Sequence, residues 1–162
     1  MTTAALSISS RRNNLLIPIL VGGVVAGTFD LTSAFFTFGA NAPRGIAGGL
    51  LGRQALPGGI GIWILGVFLH YFIAISAAAI YCITSRRLEF LKDHWLVCGI
   101  FYGIAIFLVM NLVVLPLCAY HSMGPYQYRG LMQGLLVHMF IIGLPISFSL
   151  HKLSSEGNSE RG

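Results

Sequence analysis

Charge is what this chain has least of. Only 9% of its 162 residues are Asp, Glu, Lys or Arg, where a soluble domain usually carries about a quarter. A globule of this size could not clothe itself in so few charges, so lipid is expected to be the solvent for much of the surface. Three cysteines are too few for a disulfide framework, and buried, inert thiols are the simplest reading. Cys-x-x-Cys-His is missing, as are His-Glu-x-x-His, a glycine-rich phosphate loop and a serine-nucleophile elbow. The absence of all four argues against soluble-style catalysis, and the chain is read as a non-enzyme.

What is abundant is apolar sequence, at 56% of residues. It falls into four long stretches, about 15–38, 60–83, 95–118 and 131–150. A helix needs about 20 apolar residues to cross roughly 30 Å of hydrocarbon, and every stretch reaches that length. The expectation is an all-α polytopic membrane protein with four transmembrane helices in an up-down bundle. Short tails flank it at 1–14 and 153–162. Four spans use most of the chain and leave no room for a second folded domain.

The ten basic residues lie outside these stretches and report orientation. Arg11, Arg12, Arg86, Arg87, Lys92, Lys152 and Arg161 fall on one side, and Arg44, Arg53 and Arg129 on the other. Seven against three places both termini and the middle loop in the cytoplasm by the positive-inside rule. A net charge of +5 is thus read as topology rather than nucleic-acid binding. The Arg11-Arg12 pair is read as an anchor, not an export signal.

The connection from Gly39 to Gly59 is the longest. Pro43 suits a helix start, and Ile46, Leu50 and Leu51 would line one face of a short outer interfacial helix. A plain glycine-rich linker fits equally well. Arg44 and Arg53 are candidate contacts to lipid phosphates. Small residues mark helix-packing faces at Gly23, Gly27, Gly66, Gly99, Gly103, Gly130 and Gly134. Leu69-His70-Tyr71-Phe72-Ile73 is similar to Val137-His138-Met139-Phe140-Ile141, which raises the idea of two tandem hairpins.

Each stretch also holds one strongly polar side chain: Asp30, His70, Asn111 and His138. Counted from the outer end of each span, Asp30, Asn111 and His138 lie roughly 10–12 Å deep and His70 about 15 Å. All four can therefore meet in one layer. Asp30 is the only acid in any span, and a charge in hydrocarbon costs at least ~2.5–3.5 kcal/mol unless it faces protein and finds a partner. Three readings follow. The foremost is a structural or accessory bundle whose polar network fixes helix register. The second is a small transporter or channel that moves a proton, ion or solute through Asp30. The third is a redox protein in which His70 and His138 ligate a haem b or a metal. The loops are too short for a large soluble partner, so a membrane-embedded partner or a second copy is the expected company.

The segments Gly27-Thr28-Phe29-Asp30, Leu50-Leu51-Gly52-Arg53, Leu69-His70-Tyr71-Phe72-Ile73-Ala74, Ser85-Arg86-Arg87-Leu88, Met110-Asn111-Leu112-Val113-Val114-Leu115-Pro116-Leu117 and His138-Met139-Phe140-Ile141-Ile142-Gly143-Leu144-Pro145 occur in this order. Taken together the set resembles a functionally uncharacterised family of small bacterial multi-pass membrane proteins. The resemblance covers nearly the whole chain. It implies a four-helix protein of the bacterial inner membrane, and it implies no activity, cofactor or catalytic residue.

Overall fold

A computed structural model describes residues 15–119 and 127–159. Residues 1–14, 120–126 and 160–162, which include most of the tails and of the expected turn after the third span, lie outside the described residues. The structure is 89% helical with no strands among the described residues. Four helices are long and apolar enough to cross a membrane, so the chain is a multi-pass α-helical membrane protein. In hydrocarbon a spanning segment must satisfy its own backbone, and the helix does so within one segment.

The first span, α1, is Leu16–Phe38, with Pro18 tolerated in its first turn, where no amide partner is required. Gly39 ends it at φ 71°, a left-handed conformation that favours glycine. A 3₁₀ turn, Gly39–Asn41, leads into the short helix α2, Ala42–Leu51. The long connection is therefore a helix, not a linker. Its protein-facing side is the small-residue one. Ala42, Pro43, Ala47 and Gly48 are buried, whereas Leu50 is 62% exposed and Leu51 also points outward. The small residues let α2 lie close against the second span, and the larger apolar side chains are left for lipid.

That second span, α3, is Ile60–Thr84. A four-residue helix, α4 (Phe90–Asp93), sits in the following loop. The third span, α5 (Trp95–Leu117), and the fourth, α6 (residues 128–159), follow. The last helix continues to Ser159, past the expected start of a tail at 153. Polar residues there keep the helical register once the span is complete.

Two spans are not uniform. α5 widens into a π-helix over Met110–Val114, and α6 does so over His138–Gly143. Each π segment ends two residues before a proline, Pro116 or Pro145. Proline has no amide for the carbonyl four residues back, and its ring crowds that carbonyl. A wider turn relieves the clash, and π segments often mark functional positions.

α1 packs against both α3 and α6, and α6 packs against α5. α3 and α5 are bridged toward the loop that joins them by large side chains. The Tyr81 and Tyr102 rings lie 4.8 Å apart, and the Tyr102 hydroxyl donates to Ala77 O at 2.7 Å. The core is correspondingly small-grained, with Ala26, Ala78, Tyr81, Cys82, Ile142, Ile146 and Leu150 buried together. Large side chains such as Phe36, Phe68, Phe101 and Leu112 face outward, the inverse of a soluble bundle and the arrangement lipid requires.

Candidate functional site

Close helix approach builds the site. Spans attract one another in lipid mainly through packing, so small residues decide where they touch. Gly23 lies against Ile75, and Gly27 against Tyr71 and Ala74. Gly99 faces Gly143 and Ser147, Gly103 faces the backbone of His138 and Met139, and Gly134 takes the Phe107 ring. Gly66 is also a packing glycine, but its neighbour is the Pro43 carbonyl of α2 rather than another span. Gly130 corrects the expectation, since a side chain there would meet nothing within 4 Å. Gly22, against Ile146 and Ser149, and Gly143 serve as packing positions that the sequence reading passed over.

These contacts set Asp30 beside the His70 imidazole. Asp30 Oδ2 lies 4.0 Å from His70 Nε2, with the two side chains 26% and 11% exposed. His138 is within electrostatic reach of the same carboxylate. The distance to His70 is too long for a hydrogen bond. His70 Nε2 instead lies 2.8 Å from Gly27 O. A carbonyl can only accept, so Nε2 carries the proton and, in the neutral ring, Nδ1 holds the lone pair. His138 has the opposite tautomer. Its Nδ1 lies 2.7 Å from Gly134 O, which leaves the lone pair on Nε2. The Phe107 ring meets His138 edge-on, at 5.5 Å between centroids.

Asn111 bonds back along its own helix. Its Nδ2 donates to Phe107 O, one turn earlier, at 2.9 Å. Asn111 and His138 thus behave alike: both sit in π segments, and both return a side-chain donor to the carbonyl four residues earlier. His70 and Asp30 lie in unbroken helix. The two suggested hairpin repeats therefore differ at their matching positions.

Among the described residues the Asp30 carboxylate makes no hydrogen bond; its polar relations are the His70 contact and the His138 charge interaction. The surroundings are richer than four residues. Thr28 Oγ1 and the Tyr71 hydroxyl are 2.9 Å apart, next to Gly27. Nearer the C-terminal end of α1, Gln133 Nε2 donates to Thr37 Oγ1 at 3.0 Å, which links α6 to α1. The signal for Tyr71 and Thr28 was proximity in sequence to His70 and Asp30.

Arg44 donates from Nε to Gly58 O at 2.7 Å and from Nη1 to Asn41 Oδ1 at 2.6 Å. Two of its donors therefore close the α2 connection on itself. Arg53 is exposed. No three His, Cys, Asp or Glu side chains among the described residues converge at metal-ligand spacing. A haem held by both histidines would require His70 Nε2 to leave Gly27 O.

Comparison of the chain with family models, with curated proteins and with solved structures finds no match in any of the three.

Proposed function

We propose that this is an inner-membrane protein with both termini in the cytoplasm, and that its bundle exchanges a proton at Asp30. The observation that carries the reading is the bonding state of Asp30. A residue kept only to pin helix register would be expected to hold hydrogen bonds, because an unmatched polar group in hydrocarbon is costly. Both histidines hold such bonds to backbone carbonyls. The single carboxylate of the spans holds none among the described residues.

With Asp30 protonated, a neutral carboxyl is tolerated at this depth and His70 stays on Gly27 O. When Asp30 ionises, the acceptor is the lone pair of His138 Nε2, which is farther from the carboxylate than the 4.0 Å of His70, so the two side chains must first close that gap. The transfer leaves a carboxylate and an imidazolium, so the site's net charge is unchanged by the step. The His70 N–H is the nearest donor to the new carboxylate and moves from Gly27 O toward it. A proton suits this site better than a hard cation. Sodium, magnesium or calcium sites want several oxygens, and the side chain beside Asp30 is an imidazole.

The test is proton flux into proteoliposomes loaded with a pH-sensitive dye. Asp30→Asn keeps the shape of the side chain but cannot ionise. It is expected to abolish flux while the variant melts like the wild type. Absence of flux in the wild type, or equal flux in Asp30→Asn, would return the site to a scaffold role. In that case Asp30→Leu should be the damaging change.

A further inference from the structure

A second site lies at the other end of the bundle, where the basic loop joins α3 to α5. There the two spans diverge and leave a cleft of about 570 Å³. Its walls include Tyr81, Leu88, Phe90, Val97, Phe101 and Tyr102. The cleft is built by specific bonds. Tyr102 ties α5 to α3 through Ala77 O, and the Tyr81 hydroxyl donates to Leu91 O at 3.0 Å, which holds α4 over the opening. Both tyrosine hydroxyls are thereby satisfied, and the interior they leave is almost wholly apolar.

The rim is different. The turn after α3 curls back so that the amides of Arg87 and Leu88 bond Thr84 O. Thr84 and Leu88 line the cleft, and Arg86 and Arg87 lie in the turn between them. Both arginines are exposed, and among the described residues neither forms an ion pair or a side-chain hydrogen bond. Glu89 and Asp93 occur in the same loop, yet neither pairs with them. His94, also exposed, lines the same opening.

We propose that this cleft binds one anionic phospholipid, with an acyl chain between α3 and α5 and its phosphate on Arg86 and Arg87. An apolar slot selects for hydrocarbon, and guanidinium groups at its mouth select for a phosphate with net negative charge. A zwitterionic lipid offers the same chain but places a cation beside the arginines. Basic pockets at the ends of spanning helices are suited to anionic headgroups on these grounds. The proposal is independent of proton exchange at Asp30.

The test uses delipidated full-length protein in detergent, offered phosphatidylglycerol or phosphatidylcholine with identical acyl chains. Native mass spectrometry counts the lipid retained. Wild type is expected to hold one phosphatidylglycerol in preference to phosphatidylcholine. Arg86→Gln combined with Arg87→Gln should weaken phosphatidylglycerol retention roughly 30-fold and leave phosphatidylcholine unchanged. Val97→Trp, which fills the slot without touching charge, should remove both lipids. Cys98 also lines the cleft, and in a Cys118→Ser background its modification by maleimide should slow when phosphatidylglycerol is bound. Equal retention of the two lipids, or a Cys98 rate indifferent to lipid, would overturn the proposal.

Discussion

His70 offers one N–H to two acceptors, Gly27 O at 2.8 Å and Asp30 Oδ2 at 4.0 Å. The shorter contact is a hydrogen bond and the longer is not. A base and an acid are thus held side by side with the bond between them unmade. His70→Phe removes this choice. Gly27 O keeps its place in the helix, so the loss is one neutral hydrogen bond, about 1 kcal/mol. The variant is expected to fold and melt slightly lower. Its proton flux, measured in the same vesicles as Asp30→Asn, should fall to background. Undiminished flux would separate His70 from the pathway.

Glycine contacts give a sharper stability contrast. Gly103→Ala would press a methyl group into the backbone of His138 and Met139. Overpacking against backbone costs typically 1–3 kcal/mol, and here it also moves the helix that carries His138. Gly130→Ala meets open space and gains about 0.5–1 kcal/mol of helix preference. Thermal melts in one detergent should order the three proteins as Gly130→Ala, wild type, Gly103→Ala, from most to least stable. A Gly103→Ala variant as stable as wild type would mean that the α5–α6 contact is not as close as described.

How much of this was legible in the residues depends on the kind of signal. Asp30, His70 and His138 stood out because a polar side chain in an apolar run is rare and its depth follows from counting helical rise. The four spans stood out for the same reason, length against hydrocarbon thickness. Asn111 carried an equally strong composition signal, but its amide turns back to Phe107 O, and composition does not show which way a side chain turns. The π segments were hidden because a proline in an apolar run does not by itself show how the turn before it adjusts. The shared Leu-Pro pair one residue beyond each segment was the available clue. Gly130 was misjudged, and Gly143 missed, because a four-residue spacing of small residues identifies a stripe but not the neighbour it faces. The protein-facing side of α2 was not assigned from sequence, because Ile46, Leu50 and Leu51 mark only its apolar face; the close approach at Gly66 and Pro43 admits only small residues on the other.

The π segment at His138 leads to a prediction about Pro145. Pro145→Ala restores an amide and removes the clash with the carbonyl four residues back. The wide turn is then free to close into ordinary helix, which would turn His138 relative to the rest of α6. We expect a higher melting temperature together with reduced proton flux. A gain in both would show that the π segment does not serve the site.

Orientation is tested with single cysteines in an otherwise cysteine-free chain. Gln54, in the exposed 3₁₀ turn Arg53–Ala55, should become reactive as Gln54→Cys to an impermeant maleimide applied outside intact cells. Glu89→Cys, in the basic loop, should react only after the cells are opened. The reverse pattern would invert the proposed topology.

α1 stands between α3 and α6 and holds the carboxylate, and this fixes an order of events during synthesis. Asp30 reaches the membrane before either imidazole exists. His70 is 40 residues later and His138 is 108 residues later. At a ribosome's pace the second interval lasts roughly 5–20 s. Throughout it the nascent first span lacks the neighbour that carries His138, and the side of the acid that faces α6 is not yet covered. A chain stalled after its first hairpin would expose the same face with only one of its two neighbours present. The newborn protein therefore passes through a stage in which the chemistry of its mature site is also the mark of an unfinished one, open to recognition by whatever insertion or quality-control machinery the membrane contains.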